Sequence, residues 1–508
     1  MELRIRKRSA AEYYESFLLW DIERQATELT HRSPEFWEEI GGEKALETFH
    51  EAAEKVPAYK KFLAENGIDH REVVSLEDFK KVPPVNKENY LRRYPLHELC
   101  WDGALTKMNV VSVSSGTSGK PFFWPRDIWQ EHEVDHYYEL TLRYLFSAHE
   151  KKTLILVAFA MGMYIAGPFT FASCLRIAQK GYPISIATPS NDIEAILKVV
   201  QDLSGEFDQV IIGGYPPLVR DIIDSGVRAG INWKEKNTKL FFGGESFSEK
   251  WRDYILSLVN GGSSLGSAVN MYGTADAALL GIETPTSISL RKVAATDPKA
   301  LKDIFNSERL PSVLSYNPLL NYFETTESGN LLFTSSSGIP LIRYSIGDVG
   351  GIVSYDDALR VVSENAILFQ EYEKQNVDWK LPLVYLFGRD DFTVVLYGAN
   401  VYPENIKEAL DDPRINHLVS GKFVLSKGDR RDLSPYLDLK IEMAQGIKPE
   451  KSMVNLIKRA IVETMVSKNS EYADVYNTRG KKAEPRIKLE EYMSKNFKFG
   501  VKHRWVQR

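Results

Sequence analysis

Five short apolar runs alternate with helical segments between residues 153 and 274, and this alternation constrains the fold more than any other feature. The runs are TLILVAFA, YPISIAT, DQVIIGG, TKLFFGG and SAVNMYG, and the segments between them include DIEAILKVVQDLS and WRDYILSLV. Strands that are apolar throughout are buried on both faces, and strands separated by helices pair in parallel. The pattern therefore predicts an α/β protein with a large N-terminal domain of mostly parallel sheets covered by helices.

Glycine-containing segments follow several of these strands, and such junctions are where open α/β sheets bind ligands. The segments are SSGTSGK, GGYPP, GGESFS and YGTAD. A role for their glycines in core packing is the alternative. We favour the interpretation that the four segments line one crevice at the carboxyl ends of the strands.

The first of these segments has the composition of a phosphate-binding loop. Its residues follow the strand-like MNVVSV and are Ser114, Ser115, Gly116, Thr117, Ser118, Gly119 and Lys120. Glycines let the backbone approach a phosphate, hydroxyl and N–H groups donate hydrogen bonds, and the lysine adds a positive charge. The loop is not a Walker motif, because Pro121 stands where a magnesium-binding Ser or Thr is required. A plain linker is the other interpretation of such a composition.

Composition excludes several function classes. The 508 residues contain 64 Lys and Arg against 69 Asp and Glu, a net charge of −5, so no global attraction to nucleic acid or anionic membranes is expected. The two cysteines, Cys100 and Cys174, cannot form a disulfide framework and fit a reducing compartment. No signal peptide is recognisable at the start, and we expect a cytoplasmic protein.

Residues 153 to 175 carry no charged side chain and are long enough for a membrane-spanning helix. Gly162, Gly167 and Pro168 interrupt this stretch. A buried strand, a loop and the start of a helix are the predicted structure, and a membrane span is the weaker alternative.

The helical segment DIWQEHEVDHYYELTLRYLF contains a match to the zinc-protease pattern HExxH. His132 and His136 would lie on one helix face, with Glu133 as the base. No convincing third ligand follows, and the surrounding residues fit an ordinary amphipathic helix. We prefer the packing interpretation.

The rest of the chain divides into a helix-rich start and a compact end. Residues up to about 100 show apolar positions at helical spacings, as in EKALETFHEAAEKV.

Asp348 lies in a turn after the strand-like LIRYS, where its carboxylate could accept hydrogen bonds from a ribose diol. From about residue 388 the order helix, strand, strand, helix, strand predicts a small α+β domain. We expect an N-terminal domain over residues 1–387 and a C-terminal domain over 388–508.

Four motifs in one order are similar to those of the adenylate-forming acid:CoA ligases. They are SSGTSGKP, YGTAD, RYSIGD and GRDDFTVVLYGANVYPENI. The segments VPAYKKFLAENGI, SLEDFKKVPPVNKENY and NPLLNYFE resemble the phenylacetate–CoA ligase branch. The resemblance covers the chain from about residue 50 to its end.

This resemblance implies a two-step ligase with a mobile C-terminal domain. A carboxylic acid first reacts with ATP to give an acyl-adenylate and pyrophosphate, and the thiol of CoA then displaces AMP. ATP, Mg²⁺ and CoA are the implied cofactors, and a small-molecule acid is the implied substrate. No nucleic acid or membrane partner is implied, and a homodimer is compatible with the pattern.

The resemblance also implies roles for individual residues. Ser114 to Lys120 would hold the β- and γ-phosphates, and Asp348 and Arg389 would bind near the ribose. Asp391 would be the hinge, and Asp276 would be the magnesium ligand where the family has glutamate. An acidic residue expected after the hinge is replaced by Phe392. The adenine wall and the α-phosphate contact would come from Gly244, Glu245, Tyr272, Gly273 and Thr274.

The resemblance further implies a catalytic lysine for adenylation. NTRGKKAEPRIKL resembles the segment that delivers it, and the register favours Lys481, with Lys482 and Lys488 as alternatives. Two other functions stay open. The acyl acceptor could be an amine, a carrier protein or a protein cysteine, or the chain could be a catalytically weak nucleotide-binding scaffold.

Overall fold

The five apolar runs form five parallel strands, as predicted. They lie in the order β4-β3-β5-β6-β7 within one large sheet. The computed structural model describes residues 9–113, 122–163, 165–259, 265–389, 394–397, 399–430, 435–497 and 505–507. The parallel strands are β3 (Thr153–Ala158), β4 (Ile184–Ala187), β5 (Gln209–Gly214), β6 (Lys239–Gly243) and β7 (Ala268–Thr274).

Six antiparallel strands extend this sheet beyond β7, so the large sheet is mixed. Its full order is β10-β11-β12-β13-β9-β8-β7-β6-β5-β3-β4. The α/β fold class is confirmed, and the parallel pairing belongs to the region 153–274. The added strands are β8 (Ala278–Ile282), β9 (Ser312–Ser315), β10 (Tyr322–Thr325), β11 (Asn330–Ser335), β12 (Leu341–Val353) and β13 (Leu383–Arg389).

Two short ribbons and a second sheet complete the strands. Strands β1 (Val110–Val113) and β2 (Phe123–Arg126) pair on either side of the glycine-rich segment, and β14 (Val394–Leu396) pairs with β15 (Ala399–Val401). The second sheet has the order β18-β17-β16-β19. Its strands are β16 (Val419–Asp429), β17 (Pro435–Met443), β18 (Arg486–Glu490) and β19 (Val506–Gln507).

Helices cover both faces of the large sheet. Successive side chains of a strand point to opposite faces. Accordingly Ile155 and Phe241 pack with the N-terminal helices, whereas Leu156 and Phe242 pack with the helices of the 193–259 region. The helices are α1 (Ala10–Leu19), α2 (Ile22–His31), α3 (Pro34–Lys55), α4 (Pro57–Glu65), α5 (Leu76–Phe79), α6 (Ile128–Leu140), α7 (Ala166–Gln179), α8 (Ile193–Leu203), α9 (Pro216–Arg228), α10 (Glu249–Val259), α11 (Pro285–Thr296), α12 (Pro298–Phe305), α13 (Tyr355–Ser363), α14 (Ala366–Glu373), α15 (Pro403–Leu410), α16 (Lys451–Lys468) and α17 (Ser470–Arg479).

The uncharged stretch 153–175 forms strand β3, a connecting segment and the start of α7, as predicted from its glycines and proline. Within the described ranges, no helix has both the length and the apolar character needed to cross a bilayer.

Helix α9 carries the contact between the large sheet's helices and the C-terminal sheet. Lys422 Nζ lies 2.6 Å from Asp221 Oδ2, and their side chains are only 13% and 6% exposed. Arg220 donates a hydrogen bond to the Val419 carbonyl at 3.0 Å. Gly421 has φ +86°, and a Cβ there would lie 2.9 Å from the Arg220 guanidinium. The contact is therefore polar and closely fitted.

Two helices at the N-terminus bury the HEVDH motif of α6. Glu133 Oε1 accepts a hydrogen bond from the Tyr14 hydroxyl at 2.7 Å, and His136 Nδ1 lies 2.5 Å from Gln25 Oε1. Burial lowers the pKa of His136 to about 3. The motif residues thus pack α6 against α1 and α2. Among the described residues, no group of three or more His, Cys, Asp or Glu side chains is arranged to hold a metal.

Phe241 sits at the centre of the parallel strands with no exposed surface, and it contacts Gly213, Tyr138 and Phe159. We expect Phe241→Ala to lower the free energy of unfolding by about 3–5 kcal/mol in urea denaturation, because truncation leaves a cavity. Phe123→Ala is the matched control, since Phe123 is 45% exposed. Its cost should stay below about 1 kcal/mol. Equal losses would contradict this placement of the core.

Burial raises the pKa of Glu133 from 4.5 to about 8. The folded protein then holds a proton on this carboxyl that the unfolded chain releases, so stability should fall as the pH rises from about 5 to 8. We expect Glu133→Gln, which keeps an acceptor for Tyr14, to reduce this fall in the thermal midpoint. Glu150→Gln, at an exposed side chain, is the control. Parallel pH profiles for wild type and Glu133→Gln would refute the prediction.

Candidate functional site

A cavity of about 1580 Å³ opens at the carboxyl ends of the parallel strands, where the crevice was predicted. The described part of the predicted nucleotide site lines this one cavity. The residues brought together are Gly244, Glu245, Tyr272, Gly273, Thr274, Asp276 and Asp348.

Tyr272 and Asp348 are joined directly. The Tyr272 hydroxyl donates a hydrogen bond to Asp348 Oδ2 at 2.5 Å, and both residues are buried. Tyr272 lies in β7 and Asp348 in β12, and strands β8, β9 and β13 lie between them in the sheet. The sheet must therefore curl around the cavity to bring YGTAD and RYSIGD together.

Two features require a glycine at position 244: the backbone conformation and the closeness of Tyr215. Its φ is +79°, and a Cβ at this position would lie 2.7 Å from Tyr215 Cε1. A glycine therefore lets the backbone after β6 pass close to the tyrosine of the GGYPP segment. In the neighbouring YGTAD turn, Thr274 Oγ1 accepts a hydrogen bond from the Ala277 N–H at 3.0 Å. Both turns are thus held in place at the cavity wall.

Asp276 is paired with a lysine that the sequence analysis did not assign to the site. Lys87 Nζ lies 2.9 Å from Asp276 Oδ2, and the Tyr344 hydroxyl donates to the same oxygen at 2.6 Å. The Asp276 side chain is 2% exposed, whereas that of Lys87 is 29% exposed. Lys87 also lines the cavity. The pair therefore presents its positive member to the cavity.

The backbone before Lys87 is anchored by the RYSIGD strand. The Arg343 guanidinium donates hydrogen bonds to the carbonyls of Lys80 and Val82. Asn86 then caps the turn that Lys87 begins, with its Oδ1 accepting from two backbone N–H groups. The segment SLEDFKKVPPVNKENY, which resembles the phenylacetate–CoA ligase branch, thus brings Lys87 to the cavity.

The contacts of Asp276 bear on its predicted role as a magnesium ligand. Magnesium prefers one or two carboxylates together with phosphates and water. Here both carboxylate oxygens of Asp276 already accept hydrogen bonds from Lys87 or Tyr344. The described residues alone therefore do not form a magnesium site, and the role of Asp276 as a metal ligand stays a prediction.

Part of the predicted site lies outside the described residues. This applies to Ser114 through Lys120, to Asp391 and Phe392, and to the side chain of Arg389. The Arg389 backbone is described, and in the register of β12 and β13 it pairs with Asp348. The roles of these residues stay predictions.

Lys481 is not brought to the cavity in this arrangement. It is exposed in the short turn Gly480–Lys482, and neither it nor Lys482 or Lys488 lines the cavity. A catalytic role for Lys481 would therefore require the C-terminal part to move. Among the described residues, the lysines that line the cavity are Lys87, Lys250, Lys407, Lys468 and Lys495.

One part of the cavity wall is apolar and aromatic. The Phe159 and Tyr215 rings meet edge to face at 5.2 Å, and the Tyr138 hydroxyl bonds with Thr170 Oγ1 at 2.6 Å. Phe159 directly follows β3 and Tyr215 directly follows β5, at the carboxyl ends of the parallel strands. Apolar and aromatic side chains in this part of the wall are Val134, Tyr138, Phe159, Ile165, Phe169, Tyr215, Met271 and Leu279.

Comparison with known proteins agrees with the motifs and the fold. No protein-family model matches the chain. Phenylacetate-coenzyme A ligases of Thermus thermophilus and Pseudomonas putida are 22% and 23% identical, each over 70% of this chain and 71% of the relative. A solved structure of 2-hydroxyisobutyryl-CoA ligase in the postadenylation state with R3-HIB-AMP matches with a TM-score of 0.66 at 16% identity, covering 95% of this chain and 91% of the other. The predicted resemblance is confirmed: the chain is similar in sequence to phenylacetate-coenzyme A ligases, and it has the fold of a solved CoA ligase.

Proposed function

We propose that the chain is an AMP-forming ligase that activates a carboxylic acid with ATP and transfers the acyl group to coenzyme A. The observation that carries the proposal is the single cavity, in which residues of two nucleotide motifs meet an aromatic pocket. The names of the relatives, which are CoA ligases, and the acyl-AMP in the matched structure support both half-reactions.

The proposed reaction has two displacement steps, in which first pyrophosphate and then AMP leaves. A carboxylate oxygen attacks the α-phosphorus of ATP, and pyrophosphate leaves with the electron pair of the broken P–O bond. The thiol sulfur of CoA then attacks the acyl carbon, its proton is lost, and AMP leaves as the weaker base. Negative charge develops on phosphate oxygens in the first step, so fixed donors and cations aimed there lower the barrier.

The described residues divide this work between binding and charge stabilisation. Asp348 would accept hydrogen bonds from the ribose hydroxyls, and Tyr272, which bonds to it, would present its ring to the adenine. Thr274 would donate to the α-phosphate. Lys87, in the same corner of the cavity as Asp276, would add a positive charge near the phosphates. Magnesium, bound together with the phosphates of ATP, would neutralise part of their negative charge.

The remaining roles rest on the resemblance. We retain the glycine-rich segment ending in Lys120 as the phosphate loop, Arg389 as a ribose or phosphate contact, and Asp391 as the hinge between residues 1–387 and 388–508. The aromatic character of the acid pocket favours an apolar or aromatic acid.

Acid-dependent exchange of pyrophosphate into ATP tests the first half-reaction. A panel of aliphatic and aromatic acids is supplied, and AMP release is then followed with and without CoA. Exchange followed by CoA-dependent AMP release supports the proposal. Exchange without CoA dependence would redirect the acyl group to an amine, a carrier protein or a protein cysteine. ATP binding with no exchange for any acid would favour the scaffold interpretation.

Lys87→Met should lower acid-dependent exchange by about 10- to 100-fold, because a charge-assisted contact to phosphate is lost. Lys60→Met is the control, since Lys60 is exposed on α4. Thermal midpoints would show whether Asp276, left without its cation, has destabilised the fold. Unchanged exchange in a folded Lys87→Met protein would exclude Lys87 from the reaction.

Lys481→Ala is predicted to depress exchange while sparing thiolysis of a supplied acyl-adenylate. The same measurement on Lys495→Ala is the comparison, because Lys495 lines the cavity without any movement. If only Lys495→Ala lost pyrophosphate exchange, Lys481 would not be the catalytic lysine, and the alignment of the C-terminal motif would have selected the wrong residue.

A further inference from the structure

Arg291 of α11 reaches the segment GESFS, residues 244–248, that follows β6. All five residues of this segment line the cavity, and so does Arg291. The Arg291 guanidinium donates a hydrogen bond to the Phe247 carbonyl, and its Nε donates to the Pro311 carbonyl at 2.8 Å. Pro311 directly precedes β9. Arg291 therefore ties the GESFS segment to the start of a strand in the middle of the large sheet.

A buried network of two arginines and two glutamates holds Arg291 in place. Arg291 pairs with Glu249. Arg252 pairs with Glu249 at 2.9 Å and with Glu283 at 2.6 Å. The four side chains are at most 8% exposed. Removing one partner from such a network leaves a buried charge uncompensated, so the network resists rearrangement. The direction of the Arg291 guanidinium is thus fixed by its carboxylate partner.

The side chain of Phe247 is also held. It is 5% exposed, and its ring centre lies 5.1 Å from that of Phe242 and 4.8 Å from that of Trp251. Two aromatic contacts and one charge-assisted hydrogen bond therefore fix this residue. Its neighbours in the GESFS segment, which line the cavity, have little freedom to shift as a consequence.

The C-terminal part of the chain holds the same segment through a second set of contacts. Lys407 Nζ donates a hydrogen bond to the Ser246 carbonyl at 3.4 Å, and Ser248 Oγ donates to Asp411 Oδ2 at 2.6 Å. These contacts would be lost when the C-terminal part turns between half-reactions, as the proposed function requires. The contact made by Arg291 does not involve the C-terminal part and would remain.

We propose that Arg291 is a positioning residue for the base of the nucleotide. The proposal rests on the proposed function and on the adenine wall that the resemblance assigns to Gly244 and Glu245. By holding the GESFS segment in both arrangements of the C-terminal part, Arg291 keeps the backbone of that wall at a constant distance from the base. Arg291 acts through the segment and does not need to touch the nucleotide.

A fixed backbone wall distinguishes bases by their hydrogen-bonding groups. Adenine carries an amino group that can donate to a backbone carbonyl, whereas hypoxanthine, the base of ITP, carries a carbonyl oxygen at the same position. A donor matched to a fixed acceptor is favoured over a group that leaves two acceptors facing each other. A wall that can shift should discriminate less. The preference for ATP over ITP therefore reports how firmly the segment is held.

The test measures acid-dependent pyrophosphate exchange with ATP and with ITP, using the acid that gives the strongest exchange. Arg291→Lys keeps a positive charge beside Glu249 but loses the planar fork that also bonds to the Phe247 and Pro311 carbonyls. We expect the preference for ATP over ITP, measured as the ratio of kcat/KM values, to fall about tenfold, because loss of a charge-assisted hydrogen bond frees the segment. The KM for the acid should not change.

Arg252→Lys is the matched control, because Arg252 belongs to the same network and is as deeply buried. Its described hydrogen bonds go to Glu249, Glu283 and the Ala268 carbonyl, which all lie outside the GESFS segment. This variant should lower the thermal midpoint and keep the wild-type preference for ATP.

Any of three results would overturn the proposal. They are an unchanged preference in Arg291→Lys, an equal fall in Arg252→Lys, and equal use of ATP and ITP by the unaltered protein. If Arg291→Lys does not fold, Glu249→Gln replaces it, since that variant removes the charge that directs the Arg291 guanidinium, and an unchanged preference there would overturn the proposal as well. Failure of the unaltered protein to exchange pyrophosphate with any acid would instead reject the proposed function.

Discussion

The hydrogen bond between Tyr272 and Asp348 is the contact on which the shape of the large cavity depends. It joins β7 to β12 across three intervening strands. A sheet of this size twists, and the twist accumulates from strand to strand. Only a curled sheet lets a tyrosine side chain span that distance. The parallel half of the sheet and the antiparallel half thereby become two walls of one cavity.

The same two motifs are joined a second time through Asp276. Tyr344 of RYSIGD and Lys87 both contact this buried carboxylate. Removing the positive partner of a buried carboxylate leaves a charge that water cannot reach, so Lys87 has a structural role as well as a chemical one. Arg343 holds the backbone before Lys87. One strand, β12, therefore carries Asp348, the Tyr344 that contacts Asp276, and the Arg343 that positions the segment leading to Lys87.

Much of the fold was predictable because its signals are local. The strands between residues 153 and 274 are continuous apolar runs in the sequence. The antiparallel extension was not predicted, since its strands pair between segments far apart in sequence. Lys87 was missed for a similar reason. A lysine in a charged, proline-containing segment has the sequence pattern of a surface residue, and only its distant partner Asp276 distinguishes it. Lys481 was chosen on local register alone, and no contact in the described arrangement supports its role.

The contact of Lys422 with Asp221 bears on how the C-terminal part can leave its position on α9. Opening an apolar contact of that size would expose apolar surface to water, and the free-energy cost would grow with the exposed area. A nearly buried ion pair behaves differently, because hydration of both ions compensates for much of the lost attraction when they separate. If the C-terminal part turns as we propose, separation of this ion pair would therefore cost less than separation of an apolar contact of the same size. Separation of the ion pair should also depend on ionic strength, whereas separation of an apolar contact should depend on it far less.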